Sequence, residues 1–195
     1  MKYLRIHIVV LLLVCLFTPL VNAEQQAEEA WLAKAEGGAA KRAADAVAKF
    51  KSKRAAINKY FNESYGYAIF PSVGRGGVYL GIAYGRGLVV EQGRLVGKTS
   101  FWQFMYGVLF GGEYYSEIIF FKDKKTLDMY KQGRMEFVGQ AGVSLLTLGG
   151  AATPAFNSGV AIFTMTRLGL MIEVTPSGAM YSFKPFSENV DTASR

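Results

Sequence analysis

Residues 76–87 read GGVYLGIAYGRG, a strand-like alternation in which Gly81, Ala83, Gly85 and Gly87 hold four successive positions on one side. The other side carries Val78, Leu80, Ile82 and Tyr84. Glycine and alanine are poor strand formers because they bring little side chain to pack. A chain that keeps one strand face bare must set something large against it: rings from a packed layer, another backbone, or lipid. Phe101, Trp102, Phe104, Tyr106 and Phe110 supply rings in number, so aromatic cover is the expected solution. Glycine there also suits a strongly curved sheet, as in a closed barrel.

The N-terminus is set apart from fold reasoning. Lys2 and Arg5 precede ten uninterrupted apolar residues from Ile8 to Phe17, followed by Pro19 and the small residues of Val21-Asn22-Ala23. This pattern predicts a secretory signal peptide, residues 1–23, and an exported protein that is periplasmic or envelope-associated. The run is half the ~20 residues needed to span a bilayer as a helix. Cleavage after Ala23 leaves 195 − 23 = 172 residues, enough for one domain with a core. It also removes His7 and Cys15, the one histidine and the one cysteine. Disulfides, Cys/His zinc sites and nucleophiles that need a histidine base are thereby excluded from the mature chain. No metal and no cofactor is expected.

Charge is informative by region. Residues 24–40 hold one base and four acids, residues 41–61 seven bases and one acid, and residues 62–195 twelve bases and ten acids. The basic character of the chain is concentrated in 41–61. Residues 27–61 are rich in Ala, Lys and Glu without proline and read as helix. Gly37-Gly38 divides them, so a weak first helix and a second from about Ala39 to Phe61 are expected. Val47, Phe50, Ile57 and Phe61 recur at helical spacing, Lys49, Lys51, Lys53 and Lys59 flank that stripe, and Arg54 falls within it.

From Tyr67 onward the chain turns to short β-rich runs. Tyr67–Phe70, ended by Pro71, and Val78–Val90 read as strands, with EQG at 91–93 as a hairpin turn. Phe101–Phe110 and Tyr114–Phe121 follow, divided by Gly111-Gly112. Asp123 reads as an N-cap and Gly133 as a helix stop, with Leu127 and Tyr130 on one face between them. Strands resume over 135–148, 160–166, 170–174 and 179–183, the last two joined by TPSG; the loop 149–159 and the tail from Glu188 are polar or glycine-rich. The fold class is α+β and β-rich: a strongly curved or barrel-like, mainly antiparallel sheet with N-terminal helices and one short helix near 123–132. The organisation is signal peptide 1–23, helical segment 24–61, β-rich domain 62–187 and tail 188–195.

Three chemical motifs fail on inspection. GRLVGKTS, residues 93–100, has three residues between its glycines where a phosphate loop needs four, and it leads into a strand rather than a helix. GRGG at 74–77 lacks the third glycine of a dinucleotide fingerprint, because Tyr79 stands there. Glu113 and Glu117 share a strand face, but four residues of strand separate them by roughly 13 Å. A hydrolytic carboxylate pair needs about 5–9.5 Å, so both are expected to be sheet-edge or surface carboxylates. No enzymatic activity is expected.

The globular part resembles the SYLF domain, a lipid-binding family. The likeness is carried by YGYAIFPSVGRGG at 65–77, GIAYGRG at 81–87, YSEIIFF at 115–121, MEFVGQAGVS at 135–144 and GVAIFTMTRLGLMIEV at 159–174. It covers roughly residues 45–185, and departs from the family's glycine pairs at Arg167-Leu168-Gly169. The resemblance implies a β-rich fold with flanking helices, affinity for anionic phospholipids (phosphoinositides in eukaryotic members) and no catalysis. Basic residues near the domain's N-terminus are the lipid contacts it implies, and here that segment is 41–61.

The residues themselves support an amphipathic helix at an anionic membrane surface, with Lys49, Lys51, Lys53 and Arg54 in electrostatic contact and Phe50 inserting. Arg75 and Arg86, beside glycines, are further candidates for a phosphate headgroup. The expected partner is an anionic phospholipid surface, with no nucleic acid and no small-molecule substrate. The rival reading is a small outer-membrane β-barrel or an exported envelope protein. Against a barrel, SEIIFF at 116–121 is apolar on both sides, which suits a sheet buried on both faces.

Overall fold

The computed structural model describes residues 38–53, 56–134, 137–138, 145–147, 156, 158–174 and 177–186. The signal-peptide segment, Arg54, most of the 149–159 loop, Thr175-Pro176 and the polar tail lie outside the described residues.

Helix α1, Gly38–Lys53, buries Ala43, Ala46, Val47 and Phe50, the i, i+3, i+4, i+7 stripe of an amphipathic helix. The sequence predicts one helix as far as Phe61, but the chain makes two. Near the end of α1, the Ser52 hydroxyl donates to the Lys49 carbonyl at 3.0 Å, a local bond that competes with helix continuation. Helix α2, Ile57–Glu63, then buries Ile57, Tyr60 and Phe61.

Strands β1, Gly66–Glu91, and β2, Arg94–Phe121, form one long antiparallel hairpin. Its turn is Gln92-Gly93, both at positive φ (45° and 72°), as the EQG signal predicts. The separate strands read from the sequence are therefore fused. Pro71 does not end a strand, because it sits in a register irregularity between Phe70 and Val73 where a missing N–H breaks no ladder bond. Gly111 and Gly112 do not break β2 either; they pair with Gly77 and Gly76.

Helix α3, Lys124–Lys131, follows, then β3 (Phe137–Val138), β4 (Leu145–Thr147), β5 (Val160–Val174) and β6 (Ser177–Pro185). β1 pairs with β2 along almost its whole length, while β2 residues 97–105 pair with β6 and residues 108–121 with β5. β3 lies antiparallel to β6 and β4 parallel to β5. The protein is thus α+β with a strand-rich, mainly antiparallel sheet. The sheet bends sharply and, among the described residues, is not closed into a barrel.

The bend is local and glycine-dependent. Tyr79 is at φ 63°, Gly107 at 131° and Gly111 at 124°, and a Cβ on Gly77 would stand 2.1 Å from the Leu80 carbonyl oxygen. No side chain fits there. The bend folds the first half of β1 back on the second, and two cores result. One joins α1 and α2 to the sheet through Phe50, Phe61, Tyr67, Phe120 and Phe163. The other lies between the two halves, with Phe70, Val73, Phe101, Ile119 and Phe121, closed by Leu127 and Tyr130 of α3. Ile118 and Phe120 face the first core and Ile119 and Phe121 the second, so the segment apolar on both sides is buried on both faces.

The bare face of β1 points inward. A Cβ on Gly85 would meet Val73 Cγ2 at 2.8 Å and Phe101 at 3.0 Å; one on Gly87 would meet the Ile69 carbonyl oxygen at 2.4 Å. Backbone from the folded-back half therefore covers the glycines together with rings. Of the five expected rings, Phe101 alone is placed inside; Trp102, Phe104, Tyr106 and Phe110 are exposed. The inner face has no room for bulk, so β1 and β2 turn it outward.

Asp123 caps α3 as predicted, its Oδ1 accepting from the Thr126 backbone N–H at 2.8 Å and from the Thr126 hydroxyl at 2.8 Å. These bonds hold its carboxyl below the usual carboxylate range. Asp123→Ala is expected to cost about 1 kcal/mol in urea unfolding at pH 7, because α3 seals the second core through Leu127 and Tyr130.

Candidate functional site

The outer face of the second sheet half is graded along its strands. From the bend toward the Gln92-Gly93 turn, β1 presents Val78, Leu80, Ile82, Tyr84 and Arg86, and β2 presents, in register beside them, Phe110, Tyr106, Phe104, Trp102 and Ser100, with Lys98 one step further on, opposite Leu88. β6 adds Met180 beside Trp102, Ser182 beside Ser100 and Lys184 beside Lys98. At the bend the face is apolar and exposed: Leu80 is 74% accessible, Phe110 69% and Phe104 55%. An aromatic pair follows, Tyr84 and Trp102, with ring centroids 4.4 Å apart. Beyond it the Ser100 and Ser182 hydroxyls bond each other at 2.8 Å. The face ends in cations.

There the amino-terminal turns of α1 meet the sheet and leave an open groove of about 790 Å³. Arg42, Arg86, Lys98 and Lys184 line it, with the hydroxyl residues Ser72, Tyr84, Ser100 and Ser182. No carboxylate is among the lining residues, and among the described residues none of the four cations forms a salt bridge. The Arg86 Nε donates to the Tyr84 hydroxyl at 2.5 Å, which fixes the guanidinium at the boundary between rings and cations. Four cations beside neighbouring hydroxyls give the groove a positive potential and hydrogen-bond donors of the kind that suit an anion.

The predicted site residues divide. Arg86 is in the groove. Lys49 and Lys53 are exposed on α1, seven and eleven residues after Arg42, which places all three on one helix face as a cationic track of roughly 16 Å leading from the groove. Lys51 is half-buried with its ammonium 4.6 Å from the Phe61 ring centre, and so is not part of that track. Phe50 is a correction: it is fully buried in the helix–sheet core, because it completes the apolar stripe of α1, and it does not insert into lipid. Arg54 lies outside the described residues.

Arg75 is also corrected. Its Nε and a terminal nitrogen both reach Glu113 Oε1, at 2.6 and 2.5 Å, and it lies over the Tyr115 ring at 5.3 Å. Its charge is already matched, so it is not a headgroup ligand.

Neither Glu113 nor Glu117 is a surface carboxylate. Glu113 is taken up by Arg75. Glu117 is buried, its Oε1 has no hydrogen-bond partner, and desolvation raises its pKa to about 7 despite the opposing pull of Arg75.

Lys98 and Lys184 were not predicted as site residues, and Arg42 was included only as part of the basic segment 41–61. Lys98 stands inside the rejected phosphate-loop segment, and Lys184 lies 86 positions further on. The signal that could have found Lys98 and Lys184 is the mirrored alternation of KTSFW at 98–102 with MYSFK at 180–184, lysine, serine and a large apolar residue in opposite order on two strands that pair antiparallel.

No family model matches the chain. A curated relative, Beta cell expansion factor A of Aeromonas veronii, is 30% identical over 125 residues, which is 62% of this chain and 46% of that protein. The chain thus spans under half the length of that relative.

Proposed function

We propose that this chain is a non-enzymatic binder of anionic phospholipid at a membrane surface, of the SYLF kind that its sequence resembles. The observation that carries the proposal is the groove of Arg42, Arg86, Lys98 and Lys184, cationic, lined with hydroxyls and free of carboxylates. Phosphate headgroups are recognised by such donors, and the groove opens beside the exposed cations of α1 rather than into a closed cavity. This moves the main contact from the lysine-rich helix to the junction of helix and sheet. Among the described residues no helix is long and apolar enough to cross a membrane.

Each cation near an anionic surface contributes about 1 kcal/mol. Neutralising three of them, Arg86→Gln, Lys98→Gln and Lys184→Gln, is expected to lower partitioning onto phosphatidylglycerol vesicles about a hundredfold. The loss should shrink as salt rises. Lys49→Gln with Lys53→Gln should cost less, about tenfold to thirtyfold. Sedimentation of the protein with vesicles measures both; unchanged binding by the triple variant overturns the proposal.

A further inference from the structure

We infer that the apolar end of the outer sheet face, Leu80, Ile82, Phe104 and Tyr106, sinks into the hydrocarbon boundary of the bilayer whose headgroups occupy the basic groove. The inference rests on the proposed phospholipid binding and adds an orientation and a second, apolar contact to it. Same-face positions along a strand are about 6.6 Å apart. The Tyr84–Trp102 row is one step from Arg86, the Ile82–Phe104 row two steps and the Leu80–Tyr106 row three. A leaflet's headgroup layer is about 5–8 Å thick. With Arg86 at the phosphates, Tyr84 and Trp102 therefore fall at the membrane interface, where amphipathic rings are favoured, and Ile82 and Phe104 fall just below it. Cations, rings and hydrocarbon side chains follow one another along the protein in the order that a leaflet presents phosphates, interface and acyl chains.

The depth is limited. β1 pairs with β2 alone among the described strands, so its other edge carries unpaired backbone groups that cannot enter hydrocarbon. The sheet lies tilted, side chains immersed and backbone at headgroup level. A shallow apolar depression of about 360 Å³ among Leu80, Ile82, Phe104 and Tyr106 gives acyl methylenes a seat. A second copy of the chain fits this face less well. Two such faces pressed together would bring cationic ends together or bury them, and no carboxylate stands on either to neutralise them.

The test uses the protein carrying Trp31→Phe, which leaves Trp102 as the one tryptophan. Free in buffer, Trp102 is expected to be quenched by acrylamide. On phosphatidylglycerol/phosphatidylcholine vesicles its emission should shift to the blue, escape acrylamide and be quenched by lipids brominated high on the acyl chain. Leu80→Asp with Phe104→Asp, both at exposed positions, should reduce vesicle partitioning at physiological salt about 100-fold with an unchanged circular dichroism spectrum.

Vesicle binding with Trp102 still open to acrylamide, or full binding by the double aspartate variant, overturns the inference and leaves the groove proposal standing. Trp102 shielded before vesicles are added, with the double variant freeing it or changing the protein's size in solution, shows the face covered by protein and also overturns it. No binding by the Trp31→Phe protein overturns both.

Discussion

Gly87→Ala is expected to destabilise the protein by about 3 kcal/mol or more, lowering its melting temperature by roughly 6–12 °C. The added methyl would stand 2.4 Å from the Ile69 carbonyl oxygen and 3.1 Å from the Ile69 carbonyl carbon. Those atoms belong to the first half of β1, which is held between α1–α2 on one side and the second core on the other, so they cannot yield singly. Gly85→Ala is the control. Its methyl meets Val73 Cγ2 at 2.8 Å and Phe101 at 3.0 and 3.2 Å, side chains that can rotate aside, and its cost should fall near 1 kcal/mol. Urea titration of the two variants at one pH compares them. A Gly87→Ala protein as stable as the parent would mean that the two halves of β1 do not approach this closely.

That contrast marks how far the sequence could be followed. The stripe of α1, the Gln92-Gly93 turn and the Asp123 cap depend on neighbours within a few residues, and all three were legible. The bareness of one β1 face was legible too, and so was the need for cover. That the opposite face would be left exposed was not, because apolar bulk at Val78, Leu80 and Ile82 ordinarily marks a buried side. The order was reversed by the fold-back at Gly77, a tertiary event with no local signature beyond the glycines themselves.

The site shows the same division. Arg86 was found because it stands among those glycines. Its partners Arg42, Lys98 and Lys184 come from a helix and two other strands; the register of β2 with β1 and β6 aligns the strand residues, and the packing of α1 on the sheet adds Arg42. Phe50 and Arg75 were misread for a related reason. An aromatic residue beside lysines looks like an insertion anchor until the helix has a sheet to pack on. An arginine beside glycines looks free until Glu113 is placed opposite it.

Glu117→Gln is expected to stabilise the protein by about 3 kcal/mol at pH 8 and to leave it nearly unchanged at pH 4. Glu117 lies between Phe70 of β1 and Thr164 of β5 in the sheet, on the face of Tyr115 and Ile119. Of the charged and titratable groups, Arg75 lowers its pKa, while Tyr130 and Tyr181 are raised chiefly by their own burial and further by its negative charge. Desolvation outweighs Arg75 and moves the carboxyl from 4.5 to about 7. In the unfolded chain the group ionises near the lower value, so between the two the native state holds the extra proton. Stability from this residue is therefore highest below pH 4.5, declines as pH rises toward 7, and stays reduced above it. Glutamine keeps the shape and cannot ionise, so the variant loses this decline. Other carboxylates, Asp123 among them, titrate in the opposite sense, so the quantity to measure is the difference between variant and parent urea midpoints from pH 4 to 8. A difference that does not grow with pH would show Glu117 charged in a solvated or neutralised setting, and the interior between the two sheet halves more open than its packing indicates.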